Sequence, residues 1–582
     1  MNEQRLHAYN QLIQTLLDCP SGKEPEILAA NTELLDADFV QVVVAAAEHF
    51  AQQGEENTAE WLRNLATYLT TAETTPITQE DIEIYRQFLG EVLLAILESI
   101  ESNGDAQLIY PLLAANTDKL NEIFAQLLRH WAANMLREAE PDRAEDVAYV
   151  MLILSNQISN FPLGSKANKM EIAITCYEIA VTLYTRSAFP EQWAMAQNNL
   201  GIAYVERILG DRAKNIELAI AAYSAALEVY TRNAFPENWA MAQNNLGNAY
   251  VERILGDRAE NIELAIAAYY AALEVYIRNA FPENWAMAQN NLGNAYKDRI
   301  FGDRAENIEL AITAYSAALE VYTRNAFPEN WAGSQNNLGI AYVKRILGDR
   351  AKNIELAIAA YSAALEVYTR NAFPLDWAGS QNNLGAAYRE RILGDKAQNI
   401  ELAIAAYSAA LEVYTRNAFP LDWARAQNNL GNAYLERILG DRAENIELAI
   451  AAYSAALEVR TSSAFPKNWA TTQNNLGNAY KDRILGERAE NIELAIAAYS
   501  AALEVTTKSA FPQNHAETLL NLGRLYQDEK QFDSAYNTFV AAIETVEALR
   551  GEIVSGEEAK RKQAEEWNQL YRCMVRANAS KY

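Results

Sequence analysis

Apolar positions recur along this chain at helical spacing, and the helical pattern itself recurs. Ile262, Leu264, Ala265, Ile266, Tyr269, Leu273 and Val275 form an apolar stripe at the three- and four-residue steps of a helix. Asp257-Arg258-Ala259-Glu260 precedes the stripe, and its D-x-x-E form is a helix-starting capping box. The box returns as Asp303 with Glu306 and as Asp441 with Glu444. A second helix lies upstream of each stripe. Pro190 suits the first position of such a helix, where no amide hydrogen is needed, and Glu191 suits its positive end. Gly210 ends it, in a place that favours positive φ. The pattern predicts two antiparallel helices per unit.

The unit repeats with a constant step of 46: Pro190, Pro236, Pro282, Pro328, Pro374, Pro420, Pro466 and Pro512 mark it. Trp193 to Trp469 and Gly201 to Gly523 keep the same step. A fixed period in this range is the signature of a solenoid, whose core grows by adding units. Seven close copies run over 190–511. A degenerate first copy occupies 144–189, with Ser155 where later units carry glycine and Cys176 where they carry alanine. The unit at 512–550 differs: Leu522, Gly523, Tyr526, Ala535, Phe539 and Ala542 are spaced as in a 34-residue repeat. Residues 551–582 predict a final helix, Arg561 to Arg576, that covers the last stacking face.

Upstream, residues 1–143 read as a helical region. Leu6, Leu12, Ile13, Leu16 and Leu17 form a stripe that Pro20-Ser21-Gly22 stops. Further helices are expected over 36–50, 58–69 and 80–102, with a Thr-rich linker at 70–79. Leu28 to Thr32 is echoed by Leu113 to Thr117.

Composition changes the picture by exclusion. Lys plus Arg is 49 against 76 for Asp plus Glu, a net charge of −27. Such a field repels phosphate backbones and anionic lipid, so neither nucleic acid nor membrane is an expected partner. No secretory signal or membrane span is legible, and the expected location is cytoplasmic. Cys19, Cys176 and Cys573 lie far apart, and His7, His49, His130 and His515 keep no ligand spacing. No metal, cofactor or catalytic set is expected, and the chain does not read as an enzyme.

Asn245-Leu246-Gly247-Asn248-Ala249-Tyr250 coincides with the core of the tetratricopeptide repeat. The chain resembles proteins with long forms of that repeat, similar to kinesin light chains and to many bacterial scaffolds. The LLDCPSG and YPLLAANTDKLNEIFAQLLRHWA segments, followed by FPENWAMAQNNLGNAY and GDRAENIELAIAAY units, resemble the N-terminal half of cyanobacterial tetratricopeptide–CHAT proteins. In that family a caspase-like CHAT protease domain often follows the array. Here the sequence ends at Tyr582, so no protease activity carries over. The implied fold is all-α: a right-handed superhelix, an α-solenoid of stacked antiparallel helix pairs, with an N-terminal helical region and a C-terminal capping helix.

In the resemblance, first helices line a concave groove. Asn198, Asn244, Asn290, Asn336, Asn382, Asn428 and Asn474 fall on groove-facing positions, where an amide can grip an extended peptide backbone. The asparagine that follows each suits an interhelix hydrogen bond. Specificity is expected where copies differ. Met195, Met241 and Met287 give way to Gly333, Gly379, Arg425 and Thr471 in one column. Other columns carry Lys344 and Arg389. Drift on a solvated face is the alternative. The expected function is a protein-interaction scaffold for an extended or helical partner segment. The runner-up is the sensor half of a CHAT-protease-like or signalling system whose effector is a separate chain. Partner identity and oligomeric state are not legible.

Overall fold

The computed structural model describes residues 3–18, 31, 34, 37–52, 62, 79–101, 109–138, 141–552 and 567–579. Among them every regular element is a helix. The chain divides into two compact units: Met1–Ala188 with Arg207–Leu209, and Phe189–Glu206 with Gly210–Tyr582.

In the first unit, helices Glu3–Asp18 and Ala37–Gln52 bury Tyr9, Leu12, Ile13 and Leu16 with Phe39, Val43 and Ala47. The expected helix at 58–69, except Leu62, and the linker at 70–78 lie outside the described residues. Helix Gln79–Glu101 meets Glu122–Glu138 through Phe88 and Phe124, whose ring centres are 5.0 Å apart. Helices Pro141–Asn160 and Lys166–Leu183 form a pair. Tyr177 Oη donates to Asn156 Oδ1 at 2.7 Å across this pair. Ser155, standing where later units have glycine, is buried and folds back to donate to Leu152 O at 2.8 Å. Cys176 is buried as a small core residue, and burial pushes its thiol pKa upward.

The second unit is a stack of helix pairs. Pro236–Glu252 pairs with Arg258–Leu273, Pro282–Asp298 with Arg304–Leu319, and so on to Pro466–Asp482 with Arg488–Val505. Each pair packs on the next in chain order, as a solenoid requires. The local chemistry is the one the sequence predicts. Asp257 Oδ1 accepts from Glu260 N at 3.0 Å, and Asp303 and Asp441 cap in the same way at 2.9 Å. Gly256 turns the chain at φ 79°. Within a pair, the two helices approach closely because Gly247 has no side chain: a Cβ there would lie 2.6 Å from the Tyr269 ring. Tyr269 is fully buried and donates to Asn248 Oδ1 at 2.7 Å.

Bidentate ion pairs join successive repeats. Arg253 donates through Nε and Nη2 to Glu217 at 2.7 and 2.8 Å. Arg299–Glu263, Arg345–Glu309, Arg391–Glu355, Arg437–Glu401 and Arg483–Glu447 repeat the arrangement. The guanidinium hydrogen bonds hold Glu217 and Glu355 below the usual carboxylate range. At the end of the array, helix Asn568–Ala579 packs on Phe532–Glu552, burying Leu570 and Ala577.

Candidate partner-binding surface

The first helices of the second unit place each expected site residue. The asparagine column does not line an exposed rail. Asn198 and Asn244 are each 1 % exposed, and Asn382, Asn428 and Asn474 are also buried; Asn290 and Asn336 are half-buried. Their carboxamide oxygens face the next repeat. Asn245 Nδ2 donates to Asn198 Oδ1 at 3.2 Å, and Asn291 to Asn244 at 3.2 Å. The same bond joins Asn337 to Asn290, Asn383 to Asn336, Asn429 to Asn382, Asn475 to Asn428 and Asn521 to Asn474, at 3.1–3.5 Å. Ser334 and Ser380 add a second donor to Asn290 and Asn336 at 3.2 Å. The five buried amides are therefore inter-repeat links, since a buried carbonyl oxygen without a donor is costly. The interhelix bond expected for the second asparagine of each pair involves both.

The variable columns lie at the edge of this frame. Met241 and Met287 are half-buried; Met241 packs against Tyr276 and Ala288, and Met287 against Tyr322. Gly333 and Gly379 occupy the same column, and a Cβ there would stand 3.0 Å from Tyr368 Oη and 3.3 Å from Tyr414 Oη. Arg425 is exposed and donates through Nη2 to Asp422 Oδ1 at 2.7 Å. In the two other columns, Lys344 is exposed, and Arg389 Nε lies 3.9 Å from Glu436 Oε1. The structure thus brings a methionine, glycine or arginine beside the tyrosine that closes each repeat. It keeps Lys344 and Arg389 at the other end of the same helices.

Two features were not singled out in the sequence. One is Arg460, which takes the place of Tyr230, Tyr276, Tyr322, Tyr368 and Tyr414 and is buried. Its signal was a single charge in a column of tyrosines. The other is a pair of apolar side chains in each inner turn: Ile254–Leu255, Ile300–Phe301, Ile346–Leu347, Ile392–Leu393, Ile438–Leu439 and Ile484–Leu485. They are 42–60 % exposed. Their signal was an apolar pair beside the turn glycine, off the helical stripe.

Among the described residues, no group of His, Cys, Asp or Glu is arranged to hold a metal ion, and no helix is long and apolar enough to cross a membrane. His130 Nδ1 lies 3.0 Å from Gln126 O, and His515 Nδ1 lies 2.6 Å from Thr506 O, both local backbone contacts.

No family model and no curated protein matches this chain. Among solved structures it is similar to the APC/C hetero-tetramer Cut9–Hcn1, with TM-score 0.37 and 14 % identity over 99 % of this chain and 96 % of that chain. It is similar to an IFIT1 monomeric mutant with Gppp-AAAA, with TM-score 0.37 and 13 % identity over 79 % and 96 %. The P58(IPK) TPR domain gives TM-score 0.20 and 13 % identity over 73 % and 98 %. Likeness at these scores carries no argument for this chain; the stacked helix pairs are visible in its own structure.

Proposed function

We propose that the repeat array is a protein-interaction scaffold that holds an extended or helical partner segment along its first helices. One observation carries this reading. The frame of each repeat is nearly constant and is consumed by buried contacts, whereas the partly exposed column of Met195, Met241, Met287, Gly333, Gly379, Arg425 and Thr471 changes from copy to copy. Methionine adapts its shape to apolar partners, and glycine leaves room beside a tyrosine hydroxyl. Lys344 and Arg389 add charge at the other end of the same helices. Asn290 and Asn336 keep a place in this surface, because they are the asparagines that retain exposure. The buried asparagines set the register of the helices that carry it.

The test is a display library of peptides screened against the full chain. Selected peptides are then measured on wild type and on a variant combining Met241→Asp, Met287→Asp and Arg389→Glu. Binding is expected to weaken by about a hundredfold, with helicity and melting retained. Equal binding to both proteins would place the partner surface elsewhere.

The exposed turn pairs favour a second reading. A row of aliphatic side chains, one pair per repeat, is more apolar surface than a chain with no partner there needs. The row supports the sensor half of a CHAT-protease-like or signalling system, with its effector on a separate chain. Replacing Ile254, Leu255, Ile300 and Phe301 by serine would then abolish co-purification with that effector. It would leave peptide binding along the first helices unchanged.

A further inference from the structure

Five of the seven close copies, at Tyr230, Tyr276, Tyr322, Tyr368 and Tyr414, close with a tyrosine that carries no charge. Tyr276, Tyr322 and Tyr368 donate to the carbonyls of Glu237, Glu283 and Glu329 at 3.3–3.4 Å. Arg460 breaks this column and is only 8 % exposed. Its Nη1 donates to Thr472 Oγ1 at 2.9 Å. That threonine replaces the alanine or serine of the six preceding copies. Among the described residues no carboxylate lies within ion-pair distance of Arg460. The influences on its charge are burial and the neighbouring Arg425, and both lower its pKa, to about 10.

Arg425 is itself a departure, standing where other repeats have methionine, glycine or threonine. In these two columns one copy therefore carries two guanidinium groups where the other close copies carry none, while the arginine that the tyrosine-bearing copies hold two residues after that tyrosine, such as Arg278 or Arg416, is Ser462 here. The nearby carboxylate, Asp422, is held by Arg425 at 2.7 Å, which leaves a local excess of positive charge in a chain of net charge −27. A buried guanidinium without a counter-charge is destabilising, and a strongly perturbed buried group marks a candidate functional site. Arg460 keeps 8 % of its surface exposed, and none of its nitrogens is a fully buried donor without a partner.

We propose that Arg460 and Arg425 form an anion site that receives an aspartate or glutamate side chain of the bound partner segment. The proposal rests on the scaffold reading above. Arg460 supplies the planar fork that matches a carboxylate, Thr472 fixes the fork by accepting from one arm, and Arg425 approaches from the preceding first helix. The site makes one position of the partner acidic. The methionine end of the same row selects apolar side chains.

The experiment uses the full chain with a fluorescent acetyl-hexaglutamate peptide, a hexaglutamine control and inorganic phosphate. The surface at large repels an acidic peptide, so binding that depends on Arg460 reports this junction. Hexaglutamate is expected to bind wild type, with affinity reduced about tenfold or more by Arg460→Tyr and by Arg425→Met. Hexaglutamine should bind neither form. Arg460→Tyr restores the residue that five other repeats accommodate, and Arg460→Gln is the second variant should tyrosine fail to fold. Equal hexaglutamate binding to wild type and variant, or none to wild type at millimolar peptide, would overturn the proposal. Tighter binding of phosphate than of hexaglutamate would overturn the carboxylate assignment. If hexaglutamate is indifferent to Arg460 while library peptides stay sensitive to Met241, the anion site alone fails. If library peptides ignore Met241 while hexaglutamate still depends on Arg460, the scaffold reading alone fails.

Discussion

The junctions around Tyr276 and around Arg460 share one backbone plan and differ in what they enclose. At the first, Tyr276 clusters with Ala240, Ala272 and Ala288, Met241 packs against that cluster, and the tyrosine hydroxyl donates to Glu237 O. At the second, a guanidinium fills the same place, tied to Thr472 and faced by Arg425. The first is a closed apolar seam with one polar tip satisfied by backbone. The second carries a charge that the protein does not neutralise. The comparison sets a residue that most copies share, with its polar tip satisfied by backbone, against a single departure that brings a charge into the same place.

The largest expected effect comes from forcing the second chemistry on the first site. Tyr276→Arg would bury a guanidinium between Met241 and Ala288 with no hydroxyl to hold it. Denaturant unfolding should show a loss of about 3–5 kcal/mol. Adding Ala288→Thr should recover part of it; no recovery would mean that Thr472 is irrelevant to how Arg460 is tolerated.

Gly247→Ala and Gly477→Ala test the constant frame. In each, the new methyl group would meet a tyrosine ring at 2.6–2.7 Å. Both should cost about 2 kcal/mol through overpacking. Unequal losses would show that the two junctions differ in their frames as well as in their contents.

Asn291→Ala removes the donor to Asn244 Oδ1 and leaves that buried oxygen unsatisfied. The expected loss is about 1–2 kcal/mol. Binding of library peptides should not change; a large binding loss in a stably folded variant would return the asparagines to the partner surface.

Arg460→Tyr acts in the opposite direction. Without an anion present, it should raise stability by about 1 kcal/mol, because a buried unpaired charge is removed. A drop of similar size would mean that the site is balanced by its own surroundings.

The smallest effect is in pH. Hydrogen bonds from Arg253 and Arg391 depress Glu217 and Glu355, so their contribution is complete above the unfolded carboxylate value, about 4.3. It is lost as pH falls through the lower folded values. Burial raises Glu517 in the last repeat. What it contributes is present below the unfolded value and lost as pH rises through the raised folded one. Hydrogen exchange at neutral pH and at a pH below that unfolded carboxylate value should therefore show central repeats weakening on acidification and the Glu517 helix not doing so. Parallel weakening of both would contradict the assignment.

Much of the fold could be read from periodicity. Helix pairs, aspartate caps and turn glycines follow from rules that act within a few residues, and Asp257, Gly256 and Pro236 obey them. The candidate surface was less legible, because a stacked helix has neighbours on more sides than an isolated amphipathic one. Asn198 falls on a groove-facing position in the register of the tetratricopeptide resemblance. Yet identical repeats related by a near-constant step need a side chain that offers both an acceptor and a donor, and an Asn–Asn pair offers both. The same polarity that suggested a peptide rail serves the seam. Arg460 could have been found by reading down the tyrosine column. The Ile–Leu turns could be picked out as apolar pairs beside a glycine and off the stripe, but nothing in a single unit says that such a pair stays exposed.

The asparagine ladder bears on how such a chain can change length over generations. Every rung joins residues 47 apart, and the bidentate ion pairs join residues 36 apart, whichever repeat is considered. Excising or duplicating any 46-residue segment within the close copies leaves each offset intact at the new joint. Unequal crossing-over between near-identical coding segments therefore yields a foldable product without compensating mutations. The Arg460 junction can in this way be moved, lost or doubled as a cassette. The distance between an apolar and an acidic anchor becomes a heritable trait adjusted in whole repeats.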